Sequence, residues 1–182
     1  MEFVRQQFKN CVENDAEFDC VEDIVITENE KIGLNCRYAR FKTGMSVEDL
    51  SKDLKIQGGI VSRFELGKKL LGFENFIRYC EILGVSLDKV VRGDDYKKML
   101  SIRRICTMTR ENDNYRSYFA SFLKRMREEK NLSLKDAAKL CGIYKNTMRK
   151  MEDESMAVSE RNLFLLCEFY DVSPGKLERK EL

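Results

Sequence analysis

The chain has 182 residues, 43% of them hydrophobic, with a formal net charge of +2 and no histidine. That length is long for one domain and comfortable for two small ones. Without histidine the commonest general base and every Ser–His or Cys–His pair are missing, and no other spacing of acids forms a recognisable catalytic set, so no enzyme is expected.

The single proline and ten glycines favour helices joined by short turns. Seven cysteines are scattered without a Cys-x-x-Cys pair, so neither a metal site nor another cofactor is expected. No apolar run approaches the roughly 18 residues of a membrane span. The opening Met-Glu-Phe-Val-Arg lacks the basic-then-apolar order of a signal peptide. A cytoplasmic protein without a membrane partner is the expectation.

Residues 1–30 form an acidic N-terminal arm with nine acidic and two basic side chains, a charge of −7, so the remainder carries +9. Such asymmetry fits a polyanion-facing body with an acidic arm, or simply a solvated tail. Phe3, Val4, Phe8, Cys11 and Val12 have roughly helical spacing, and the stretch Ile24–Thr27 suits a short strand. Packing on the body, homodimerisation and reception of a regulatory protein or ligand are all open to it.

From Lys31 the helical signal is clear. The spacing predicts a helix over 31–43 with Ile32, Cys36 and Ala39 inward, stopped at Gly44. Ser46 is placed to cap a second helix, with Glu48 and Asp49 in its first turn. A third short helix follows Ile56, with Ile60, Val61 and Phe64 on one face and Ser62 and Arg63 on the other. A fourth begins near Phe73 and carries Phe76, Ile77, Cys80 and Leu83 inward until Gly84, and a last turn spans 87–91. Residues 31–93 therefore predict a small all-α domain. Residues 94–116 predict a connector, helical over 95–108 and looser at 111–114, whose Lys97, Lys98, Arg103 and Arg104 could meet phosphates or solvent. A second domain is expected over 117–182.

Adding 87 to the numbers of the first half aligns the second without a gap. Thirteen positions between 32 and 92 are identical, about a fifth, and they fall largely on caps and core. Arg40 meets Arg127, Ser46 meets Ser133, Ile56 meets Ile143, Glu65 meets Glu152 and Cys80 meets Cys167. Cys36 and Cys141 align with leucines, so these four cysteines read as small buried hydrophobes. Cys11, Cys20 and Cys106 have no such assignment. A tandem duplication follows.

Both halves resemble the lambda-repressor-like helix-turn-helix family, of the Cro or xenobiotic-response-element type. In the first half the resembling residues are Arg40, Met-Ser-Val-Glu-Asp-Leu-Ser over 45–51, Val-Ser-Arg-Phe-Glu-Leu-Gly-Lys over 61–68 and Glu-Ile-Leu-Gly-Val-Ser-Leu-Asp over 81–88. In the second they are 123–130, 132–143, Thr-Met-Arg-Lys-Met-Glu over 147–152, and Val-Ser at 172–173. The resemblance implies two tandem five-helix domains, double-stranded DNA as partner, a role as transcriptional regulator (a repressor), and no catalysis. It implies structural ion pairs Arg40–Glu65 and Arg127–Glu152. It also places the third helix of each half in a major groove. The first half would then present Gln57, Ser62 and Arg63, with Lys68 and Lys69 on the phosphates. The second would present Tyr144, Lys145, Asn146, Thr147, Arg149 and Lys150. Gly58 and Gly59 read no base, and Asp153 and Glu154 stand where the first half has Leu66 and Gly67. Those departures leave an alternative role: a protein-interaction module such as an antitoxin, anti-repressor or adaptor that keeps the fold without DNA.

Overall fold

The computed structural model describes residues 26–182. The arm's residues 1–25, with Cys11, Cys20 and most of the expected strand, lie outside them. Among the described residues there are eleven helices and no strand, and the fold is all-α. They are α1 Glu28–Thr43, α2 Val47–Leu54, α3 Gly58–Glu65, α4 Phe73–Leu83, α5 Leu87–Arg92 and α6 Asp95–Glu111. Then come α7 Asp113–Glu129, α8 Leu134–Cys141, α9 Lys145–Glu152, α10 Glu160–Tyr170 and α11 Pro174–Glu178. None is long and apolar enough to cross a membrane.

Local chemistry sets the ends. The first helix begins three residues before the sequence expectation because Thr27 and Glu30 form a reciprocal cap. Thr27 Oγ1 accepts from Glu30 N at 3.2 Å, and Glu30 Oε2 accepts from Thr27 N at 2.9 Å. Thr27 thus starts a helix rather than ending a strand. Ser46 and Ser133 cap α2 and α8 by accepting from Asp49 N and Asp136 N at 3.0 and 3.2 Å. Ser86, Ser159 and Asn112 do the same for α5, α10 and α7.

The limits of α2, α3 and α4 coincide with those of α8, α9 and α10 at the offset of 87. Left-handed backbone follows the same register. Gly44 pairs with Asn131, Lys55 with Gly142, Gly67 with Glu154 and Gly84 with Asp171, all with φ between 52° and 72°. Each pair puts glycine in one half and a bulkier residue in the other, so the turn geometry is kept where the residue type is not.

Two expectations about the middle of the chain are corrected. The loose stretch at 111–114 shrinks to Asn112, whose side chain accepts from Tyr115 N at 2.9 Å and starts α7 at once. The connector helix α6 is also a central core element. Met99, Ile102, Ile105, Cys106 and Thr109 are buried, and α6 packs on α1, α7, α10 and α11. One apolar cluster runs from Leu34, Tyr38 and Phe41 of α1 through α6 to Leu163, Phe164 and Leu177. Phe164 sits edge-on to Tyr38 and Phe41 at ring distances of 5.5 and 5.4 Å. A smaller cluster, around Cys36, Leu50, Val61, Phe64 and Tyr79, fills the first half.

Asn35 fastens α6 to that half. Its Nδ2 donates to the carbonyls of Val90 and Gly93 at 2.8 and 2.9 Å, and its Oδ1 accepts from Tyr96 N at 2.7 Å. Orphan groups at the end of α5 and the start of α6 are thereby satisfied. Helices α1 and α3 cross so closely at Gly33 that a Cβ there would lie 2.5 Å from the Phe64 carbonyl oxygen.

Candidate nucleic-acid interface

Helices α3 and α9 each follow a three-residue turn after a capped helix. In α9, Met148 and Met151 point into the core, and Ile143 buries the turn before it. Apolar residues three apart on an eight-residue helix leave the opposite face to water. Tyr144, at 87% exposure, opens that face, followed by exposed Lys145, Asn146, Arg149 and Lys150. Thr147 is half-buried beside them. The sequence-expected residues of the second half therefore share one surface.

Helix α3 buries Val61, Phe64 and Glu65 and exposes Gln57, Gly59 and Arg63, with Ser62 half-buried. Ile60, expected inward with Val61, is only half-buried and does not join the apolar cluster. Gln57 occupies the N-cap without using its side chain to cap. Nothing lies within 4 Å of a Cβ built on Gly59, and one on Gly58 meets ordinary contacts with Val47 and Ser51. Neither glycine is imposed by packing or by a positive φ.

The two ion pairs hold the helices from behind. Arg40 donates from Nε and Nη2 to the two oxygens of Glu65, both at 2.6 Å, and from Nη1 to the Met45 carbonyl at 3.0 Å. Arg127 repeats the fork on Glu152 at 2.8 and 2.9 Å and on the Leu132 carbonyl at 3.0 Å. Planar bidentate geometry fixes both distance and rotation of the helix end. The first pair is the more buried, with side-chain exposures of 4% and 1% against 15% and 9%. Tyr79 completes it, donating its hydroxyl to Glu65 Oε1 at 2.8 Å. Burial and the neighbouring Glu65 charge push the Tyr79 hydroxyl well above its ordinary pKa, so it remains a donor. Sequence alone left Tyr79 unremarked because its counterpart is Leu166, an apolar match that hides the hydroxyl.

The exits differ in charge. After α3, Lys68 and Lys69 are exposed beyond Gly67. After α9, Asp153 accepts from the backbone N–H and the hydroxyl of Ser155, which hold its carboxyl below the usual range. Ser117 donates to Glu154 at 3.0 Å. Two carboxylates thus border the basic face of α9.

Residues 123–177 match the helix-turn-helix family, a span from the middle of α7 into α11. That region is similar to a helix-turn-helix domain, and α9 is the third helix within it. No curated protein and no solved structure matches the chain.

Proposed function

We propose that this chain is a sequence-specific double-stranded DNA-binding regulator, acting as a repressor in the cytoplasm. The observation that carries the proposal is the exposed face of α9, with cation, amide and guanidinium side by side inside the matched helix-turn-helix region. Asn146 suits the donor and acceptor of adenine, and Arg149 suits guanine bidentately. The first half, 31–93, acts as a duplicated partner of 117–182, joined through 94–116. The shared helix limits and left-handed positions at the offset of 87 support that duplication. In this scheme α3 is an anchor: Lys68 and Lys69 meet phosphates, Arg63 supplies its specific contact, and Gln57 and Ser62 assist. Homodimerisation and a regulatory partner at the acidic arm belong to the same scheme.

A gel shift over a range of salt concentrations tests it. Affinity should fall steeply as salt rises, because each neutralised phosphate releases counterions. Arg149→Ala should relax sequence preference by about 1–3 kcal/mol, whereas Lys68→Ala should weaken all sequences alike. Binding no stronger than that of an unrelated basic protein at low salt would sink the proposal.

A second role, protein interaction without DNA, is favoured by the bare Gly58–Gly59 surface and by the ionised Asp153. A stoichiometric protein partner recovered with no DNA would establish it instead.

A further inference from the structure

A cleft of about 800 Å³ separates the start of α2 from α6 and the start of α10. It belongs to neither third helix. Arg37 and Arg40 of α1, Arg103 and Arg110 of α6 and Arg161 of α10 line it, together with Ser46 and Glu160. Arg103 and Arg110 are seven residues apart, two helical turns, so α6 presents both to one side.

The cleft's charge is not balanced from within. Among the described residues Glu160 is its one carboxylate, with Oε2 3.0 Å from Arg37 Nη2 and Oε1 3.4 Å from Arg103 Nε. That carboxylate ties α10 to α1 and α6, but of the five guanidinium charges lining the cleft it answers only one, and a second, Arg40, is held by Glu65. Arg37 Nε and Glu160 Oε2 are both buried with no hydrogen-bond partner. Arg161 spends one nitrogen on the Gly44 carbonyl at 3.1 Å. Arg110 is exposed and has no carboxylate within salt-bridge distance among the described residues. Like charges held together in this way raise the free energy of the empty cleft and favour an anion entering it. Forked guanidinium donors match phosphate oxygens, and the capped starts of α2 and α10 add the positive ends of two helices.

We infer that this cleft is a phosphate-binding site between the halves. Two sources supply that chemistry, a DNA backbone phosphate passing between the third helices and a free phosphorylated small molecule. The DNA source rests on the function proposed above. The free source does not.

The full chain is tested with two probes, a mixed-sequence duplex and inorganic pyrophosphate. The variants are Arg110→Ala with Arg161→Ala, Glu160→Gln, and Lys176→Ala as a cationic control outside the cleft, each checked for native helicity. If the backbone is the source, the double variant lowers the salt slope of duplex binding by about 0.9, the loss of one phosphate contact, and Glu160→Gln tightens binding. If the source is free, pyrophosphate raises the unfolding midpoint of the wild type, the double variant abolishes that shift and Glu160→Gln enlarges it. Should the wild type bind no duplex, the function proposed above falls and pyrophosphate alone decides the cleft. The inference is overturned if neither probe responds to the double variant, or if Lys176→Ala loses as much as the cleft pair.

Discussion

Gly67 and Glu154 stand 87 residues apart at the exits of α3 and α9, and both hold left-handed backbone, with φ of 69° and 63°. For Gly67 the conformation comes with close quarters, since a Cβ would lie 2.5–2.7 Å from atoms of Glu30. For Glu154 the same turn is kept by a residue that strains in it. Left-handed backbone costs a non-glycine residue roughly 1–2 kcal/mol, of which glycine's greater freedom in the unfolded chain returns part. Glu154→Gly should therefore stabilise the protein by about 0.5–1 kcal/mol in urea unfolding. By removing a carboxylate beside α9 it should also raise duplex affinity at low salt. A destabilised variant would show that the hydrogen bond from Ser117 outweighs the strain.

The two Arg–Glu forks should differ in what their loss costs. Glu65→Gln leaves the Arg40 guanidinium buried without its counter-charge, and breaking such a pair costs about 3–5 kcal/mol. Glu152→Gln leaves Arg127 partly in water, and a cost of about 1–2 kcal/mol is expected. Urea unfolding of both variants checks the order. Equal losses would contradict the burial argument.

Glycines on α3 and α1 predict opposite signs. Gly59→Ala meets open space on an exposed helix and should stabilise by up to about 1 kcal/mol. Gly33→Ala drives a methyl into the Phe64 carbonyl and should cost about 1–3 kcal/mol, with α3 displaced. Thermal midpoints of the two variants moving in the same direction would refute this.

Burial pushes the thiols of Cys106, Cys141 and Cys167 from the ordinary 9.0 up to about 12. Below 9.0 these thiols are protonated in the folded and unfolded chains alike, and their contribution is fully present. Above it the unfolded thiols ionise first, so that stability is lost as pH rises toward 12. Urea midpoints should hold steady up to about pH 8.5 and fall beyond it, and a thiol reagent at about pH 8 should label these three only after denaturation. Rapid native labelling would place them at the surface.

The caps, the offset and the inward Cys36 and Ala39 of α1 and Cys80 and Leu83 of α4 were legible in the sequence, because serine caps and apolar spacing act within a few residues, while Ile77, expected inward beside them, is only half-buried. Asp49 and Asp136 lie three residues beyond their serines, and no distant contact is needed to place them. The role of α6 was not legible. Its pattern at Met99, Ile102 and Ile105 announces a helix with an apolar side, but not that α1 and α11 both cover it. Asn35 escaped for the same reason, since its partners are backbone groups 55 to 61 residues away. The cleft arginines come from three helices, and only Arg103 stood in a stretch that the sequence marked as basic. On α9 the expected set came from the family resemblance, whereas the half-burial of Ile60 depends on how α3 sits against its neighbours.

Selection of bound duplexes from a random-sequence pool tests sequence-specific binding most directly. Enrichment of a defined motif is the predicted result, with one base pair losing its preference in the Arg149→Ala variant. Two half-motifs at a fixed spacing would further match the use of both halves. A pool left at random composition after successive rounds, while the protein stays folded, would contradict the account.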